Sequence, residues 1–349
     1  MSDFRGLRIA ILGPFPPRPG GVSIQCATLA TSLQEAGARV IRINTDVPGV
    51  RARGRAGKLM MPGAQVTHIS QALRRTRHQW DVLHVHAASW WGFMPAVLGL
   101  QALAWGKNMV LTYHGGEAER FMARHSRFVT PVLRRYDHLL TLTPTQAAIF
   151  ARYGLRPEVL PNIVPGSHFV FRPRGPVHPR LLWVRHFQAH YRPQDALAVL
   201  ARVRQIYADT TLTLVGDGPL RPQLQAHAGP GAHFAGAQPP ESLPAFYNEA
   251  DIFLNTSAID NLPLTLIEAS ASGLPIVSTN AGAIADLIQH EANGLLAPVG
   301  DVAMLAELVL SVISRANLAR QLSLAARENA RRFDWSAIAP QLAACYALT

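Results

Sequence analysis

Cysteine is nearly absent from this chain: two residues in 349, Cys26 and Cys345, at opposite ends. No disulfide framework can stabilise such a chain, and a reducing cytoplasm is the expected setting. No secretion signal is expected either, since Met1–Gly6 is polar and Leu7–Leu12 is too short for a signal core. Long apolar runs are scarce. One uncharged stretch, Ala87–Trp105, approaches the ~20 residues needed to cross a bilayer. Gly92, Pro95, Gly99 and Gln101 interrupt it, and strand-like runs flank it, so it reads as a crossover segment buried against a sheet. The chain also has no G-x-G-x-x-G, no P-loop, no Asp-x-Asp, and no helix-turn-helix, zinc-finger or aromatic RNA-binding signature. Nucleic acid is therefore not an expected partner. Disorder is excluded by composition, with 48% hydrophobic and only 16% charged residues.

Acidic residues are in deficit, and the deficit is local. The chain holds 33 Lys/Arg against 22 Asp/Glu; residues 1–165 hold 20 and 8 of these, a balance of +12. The whole positive excess lies in the first half. It points to an anionic partner there: a membrane surface or a diphosphate-linked acceptor.

Strand-like and helix-like segments alternate from end to end, which predicts an α/β chain of two doubly wound domains. The first half reads as strands Leu7–Leu12, Arg39–Asn44, Val82–His86, Met109–Tyr113 and Leu139–Thr143. Helices Val22–Ala36, Gln65–Arg77, Pro95–Trp105, Glu117–Arg135 and Thr145–Tyr153 separate them. Pro161 to Pro179 is proline- and glycine-rich, a linker composition. Alternation resumes with strands Leu181–Val184, Thr211–Val215, Ala232–Phe234, Ile252–Asn255 and Ile276–Ser278, followed by helices from Ala283 onward. Expected domains are 1–163 on the acceptor side and 164–334 for the donor, with 335–349 a helix that crosses back. A ligand cleft is expected between the C-terminal edges of the two sheets.

Three loops carry chemistry. Gly13–Val22, with Gly20 and Gly21, joins the first strand to the first helix, where backbone N–H groups and the helix dipole favour a phosphate. Val215-Gly216-Asp217-Gly218-Pro219 is a similar turn in the second half. The third runs from Thr256 through Asp260-Asn261-Leu262-Pro263-Leu264-Thr265-Leu266-Ile267-Glu268. Pro263 starts a helix between two carboxylates, which leaves Asp260 in the preceding loop and Glu268 on the second turn. Ionised carboxylates are acceptors only, suited to several sugar hydroxyls at once. A helix cap at Asp260 and a solvated Glu268 are the plain structural alternative.

Asp260 to Glu268 resembles the Glu-x7-Glu signature of glycosyltransferase family 4, with aspartate for the first glutamate. Glu268-Ala269-Ser270-Ala271-Ser272-Gly273-Leu274-Pro275, Ala281-Gly282-Ala283, Asn293-Gly294-Leu295-Leu296 and Pro298 to Asp301 continue the resemblance in register. So do Leu160-Pro161-Asn162-Ile163-Val164, Gly20-Gly21-Val22 and Tyr113-His114-Gly115-Gly116. The resemblance implies a GT-B fold and retaining transfer from a nucleotide-sugar, without a metal or other cofactor; the positive charge of the first half points to a glycan or lipid-linked acceptor. It implies that Glu268 binds ribose, that Asp260 with Asn261, Leu262, Pro263 and Leu264 holds the sugar, and that His114 lies over the reacting sugar and contacts a hydroxyl. Gly20 and Gly21 would approach the diphosphate, and Gly216, in a turn resembling the family's V-G-x-G-P, would join the donor-binding set. The family's phosphate-neutralising arginine and lysine correspond to Arg185 and His190, and Arg192 stands two residues on as a substitute cation. That departure also admits a non-catalytic partner subunit; a sugar-nucleotide epimerase is the other alternative.

His84 and His86 share a strand face, but no third ligand is evident from the sequence, so packing is expected there and no metal. Arg51, Arg53, Arg55 and Lys58 read as a basic loop. Arg120, Arg124 and Arg127 fall on one helical face, expected to meet an anionic membrane on its cytoplasmic side during cell-surface polysaccharide or glycolipid synthesis.

Overall fold

The computed structural model describes residues 4–17, 20–47 and 54–347. The chain forms two compact units: residues 1–163 with 335–349, and residues 164–334.

The first unit is built on a six-stranded sheet: β1 (Arg8–Gly13), β2 (Arg39–Asn44), β3 (Val82–Ala87), β4 (Asn108–Tyr113), β5 (His138–Thr141) and β6 (Glu158–Val159). The order is β2-β1-β3-β4-β5-β6 and every pairing is parallel. All six residues of β3 are buried, as a central strand covered on both faces requires. The C-terminal helix Trp335–Tyr346 belongs to this unit; its Ile338, Leu342 and Tyr346 share one core with Phe4, Ile9 and Val82.

The second unit repeats the plan with β7 (Arg180–Val184), β8 (Thr211–Val215), β9 (Ala232–Gly236), β10 (Ile252–Asn255), β11 (Ile276–Thr279) and β12 (Leu295–Ala297). The order is β12-β11-β10-β7-β8-β9, again all parallel. Each sheet reverses its strand order once, between β1 and β3 and between β7 and β10. The C-terminal ends of those pairs are where doubly wound sheets place ligands.

Several elements differ from the expected ones. β12 was not expected at all: three residues after an Asn-Gly turn are too short to show a period. The segment Pro95–Trp105 is not one helix but a short α-helix, Met94–Gly99, between 3-10 turns Trp90–Phe93 and Leu100–Trp105. Met94–Gly99 packs on β3, and among the described residues no single helix is long and apolar enough to cross a membrane. The second helix spans Gly54–Thr76, running through Pro62 and Gly63, residues that argue against a helix interior. Arg55 and Lys58 therefore lie on a helix and not in a loop, while Arg51 and Arg53 lie outside the described residues. The basic helix ends at Leu133, so Arg134 is its cap and Arg135 lies beyond it.

Candidate active site

In the second unit the switch point is occupied by charge. Arg185 follows β7 directly and Asn255 ends β10. Nε and Nη2 of Arg185 donate to Asn255 Oδ1 at 3.3 and 3.2 Å, while Nη2 sits 2.7 Å from Asp260 Oδ2 as an ion pair without hydrogen-bond alignment. The guanidinium also lies over the Tyr191 ring, 5.1 Å from its centre. Asn255 is itself fixed, donating to Ser278 Oγ at 2.9 Å and accepting from Ser257 Oγ at 2.9 Å. With side chains only 10% and 13% exposed, Arg185 and Asp260 form a pre-oriented pair in a low-dielectric setting.

Asp260 caps no helix; its Oδ1 accepts from the Asn261 amide at 3.1 Å. Pro263 precedes the helix Leu264–Ala271 as its N-cap, with Asn261, Leu262 and Leu264 buried around it. Glu268 does stand on the second turn, but it is not solvated: it is 9% exposed, and Oε2 accepts from Tyr247 Oη at 2.6 Å. Burial raises its pKa, against which the Tyr247 bond and the Arg185 charge act. Tyr247 is held in turn by buried Arg174, whose Nη2 donates to the Tyr247 carbonyl at 2.8 Å. Tyr247, Asn255 and Tyr191 are site residues that sequence reasoning missed, since nothing in their local pattern marks them.

The other two residues expected at the phosphate are placed differently. Arg192 adopts a left-handed backbone (φ 49°) and its guanidinium is drawn to Asp195, at 2.5 and 3.3 Å. The His190 ring lies 4.0 Å from that of Tyr191, and its carbonyl accepts from the Ala258 amide at 2.7 Å. Gly216 follows β8 with φ 135°, and a β-carbon there would run into the Arg185 carbonyl. Gly216→Ala should thus shift Arg185 and strain the turn by about 1–3 kcal/mol. Thermal unfolding together with steady-state kinetics checks this; kcat is expected to fall more than KM rises.

In the first unit the switch point is a histidine cluster. Gly13 ends β1, while His84 and His86 sit on β3. His86 Nδ1 lies 2.8 Å from Nε2 of His114, which follows β4. His84 bridges Tyr346 Oη (2.5 Å) and Thr112 Oγ1 (2.7 Å), and its ring stacks on His86 at 4.5 Å. Burial lowers all three pKa values: His84 to about 3, His114 to about 4, and His86 well below its usual value. The third histidine that β3 lacked in sequence is present in space, though the ring contacts are those of a packed neutral cluster. Among the described residues the one trio spaced to share an ion is elsewhere: His138, Glu158 and Cys345, with ligand atoms within 4.8 Å of one another.

Gly20 is the N-cap of the helix Gly21–Glu35, which Gly21 opens; Arg18 and Pro19 of that loop lie outside the described residues. On the helix Ala118–Leu133, Arg120, Arg124 and Arg127 are all exposed. Beside them Phe128 is 58% exposed and Trp91 72% exposed. Trp90 packs against Phe121 and His125 of that helix, which fixes the turn carrying Trp91.

Two family models match the chain. "Glycosyltransferase Family 4" matches residues 19–168 and "Glycosyl transferases group 1" matches residues 178–315. Glycogen synthase of Mycobacterium tuberculosis is 29% identical over 297 residues, 78% of this chain and 70% of that protein. Phosphatidyl-myo-inositol mannosyltransferase of Propionibacterium freudenreichii is 25% identical over 377 residues, covering 97% and 94%. Among solved structures, Anabaena Alr3699/HepE in complex with UDP and glucose superposes with a TM-score of 0.74 at 19% identity, covering 97% and 98%. These relatives favour neither an epimerase nor a non-catalytic subunit. With one family model on each half and two doubly wound sheets beneath them, the chain belongs to glycosyltransferase family 4 and has the GT-B fold.

Proposed function

We propose that this glycosyltransferase moves a sugar, with retention, from a nucleotide-sugar to a glycan or lipid-linked acceptor in cell-surface polysaccharide or glycolipid synthesis. The observation that carries the donor reading is the Arg185–Asp260 pair at the β7/β10 switch point, with Glu268 beside Tyr247 on the adjoining helix. Glu268 takes the ribose hydroxyls, its Oε2 already anchored. Asp260 and the backbone of Asn261 to Leu264 hold the donor sugar. Arg185 faces the departing diphosphate; His190, Arg192 and the turns at Gly20, Gly21 and Gly216 are assigned further donor contacts. To His114, of the first unit, this reading assigns a contact with a hydroxyl of the donor sugar. Positive side chains then do the work a metal does elsewhere, so the reaction runs without one.

A thermal-shift screen against UDP-, GDP- and ADP-sugars tests the donor site, because a ligand bound only by the native state raises its stability. One of the three is expected to raise the midpoint, Glu268→Ala to remove the shift, and EDTA to leave turnover unchanged. No shift with any of them would sink the donor reading.

Support for a membrane-borne acceptor comes from the +12 balance of the first half, from the row Arg120, Arg124 and Arg127, and from exposed Trp91 and Phe128 alongside it. Arginines attract anionic headgroups at about 1 kcal/mol each, and aromatic rings settle at the headgroup level. The enzyme would then work as a peripheral protein on the cytoplasmic face. Co-sedimentation with phosphatidylglycerol vesicles at low salt is expected, and replacing the three arginines by glutamine should weaken it by at least about tenfold. Equal binding to neutral and anionic vesicles would remove the membrane from this reading.

A further inference from the structure

We infer that His86 is a positioning residue that locks the neutral His114 ring as its Nδ1–H tautomer, so that His114 meets the donor sugar as a hydrogen-bond donor and not as a base. This rests on the reading of His114 as a sugar-facing group. Counting protons assigns the tautomer. His86 Nδ1 and His114 Nε2 are 2.8 Å apart, so one proton lies between them. His86 is 4% exposed, and its Nε2 is buried without a hydrogen-bond partner among the described residues. A neutral imidazole carries one N–H. On Nε2 that hydrogen would be an orphaned buried donor; on Nδ1 it leaves Nε2 with only an unused lone pair. Orphaned buried N–H groups are the rarer and more costly of the two. His86 therefore donates from Nδ1, His114 accepts at Nε2, and the single proton of His114 stands on Nδ1.

The surroundings keep His86 from turning away. His84 stacks on it and is itself tied at both nitrogens, to Tyr346 and Thr112. On the other side Gly13 leaves room: a β-carbon there would lie 3.1 Å from the His86 β-carbon and 2.6 Å from Cys26 Sγ. Burial keeps both rings uncharged. The chemistry suits glycosyl transfer. Glycosidic bond cleavage builds positive charge at the anomeric carbon. A neutral N–H can orient a sugar hydroxyl there without the repulsion an imidazolium would bring.

The test uses the full chain labelled with ¹⁵N-histidine. Two-bond ¹H–¹⁵N correlations at neutral pH report which nitrogen of each ring is protonated, and the His114 signals are those lost in His114→Gln. The expected result is a neutral His114 protonated at Nδ1. Protonation at Nε2, or an imidazolium, would overturn the inference whether or not a donor has been found. Kinetics give a second readout. His86→Leu should lower kcat by up to about 100-fold, the scale of a misplaced catalytic group, with donor KM little changed. His86→Asn, whose amide N–H stands near the position of Nδ1–H, should recover most of that loss. Unchanged kcat in His86→Leu would equally overturn the positioning role. Should His86→Leu fail to fold, the wild-type spectrum decides alone.

Discussion

Replacing Arg185 by alanine is expected to lower kcat by about 10²–10³-fold, the usual loss when one pre-organised charge-stabilising group is removed. Donor KM should change far less. On the donor reading proposed above, the side chain is already held in place before any substrate arrives. Asn255, Asp260 and the Tyr191 ring fix the guanidinium in a site that is only 10% exposed, so little reorganisation is needed as charge develops on the leaving phosphate. Pairing with Asp260 offsets part of the Arg185 charge in the resting enzyme. A diphosphate growing more negative during bond cleavage then competes for the same guanidinium, and that competition is strongest in the transition state. Arg185→Lys should fall between wild type and Arg185→Ala, because an ammonium cannot engage Asn255 and Asp260 with the same planar fork. Steady-state kinetics, with circular dichroism to confirm folding, checks both variants. An Arg185→Ala enzyme with undiminished kcat would move the phosphate contact to Arg192 or His190.

Most of this site was legible as residues and little of it as contacts. Glu268 stands out in the sequence because small apolar neighbours follow it, and the structure buries it. Its partner Tyr247 lies 21 positions earlier on another helix, and no local period links the two. Arg192 looked like a spare cation by composition, whereas its left-handed turn delivers the guanidinium to Asp195 three residues on. His84 and His86 were legible as one strand face, and the alternation of a strand says no more than that. His114 joins them because β3 and β4 pair in register, His86 opposite Thr112, a fact of the sheet and not of either segment. Strands came through well where they are central and wholly buried, as in β3 and β10. β12 did not, since its three residues take their strand character from β11 alone. Helix bounds failed where proline or glycine lies inside a helix, at Pro62, or where an apolar run folds into short turns, at Trp90–Trp105.

Acid should weaken the first unit well before its carboxylates titrate. His84 and His86 are buried and neutral in the fold, with pKa values held far below the ~6.5 of an unfolded chain. As pH falls below that value the unfolded state binds protons that the folded state refuses, so folding stability drops; above it the stability is fully present. At pH 5 each such histidine accounts for about 2 kcal/mol, and the buried pair for up to about 4 kcal/mol, relative to pH 7. His114 adds to this in the same direction; its own share levels off near about 4, while that of His84 continues to about 3. The groups facing the pair are the Tyr346 hydroxyl, Thr112, His114 and, across Gly13, the Cys26 thiol, so among the described residues no carboxylate stands there to stabilise an imidazolium. Asp81, lowered chiefly by its bond to Arg8, titrates below this window and does not confuse it. Urea unfolding followed by tryptophan fluorescence at pH 7, 6 and 5 reads the effect, because Trp80, Trp90, Trp91, Trp105 and Trp335 are in this unit and only Trp183 is in the other. A His84→Gln/His86→Asn double variant should remove most of the slope. If the slope survives in that variant, the acid sensitivity belongs to other groups, and the cluster does not bind its neighbours in the uncharged form described above.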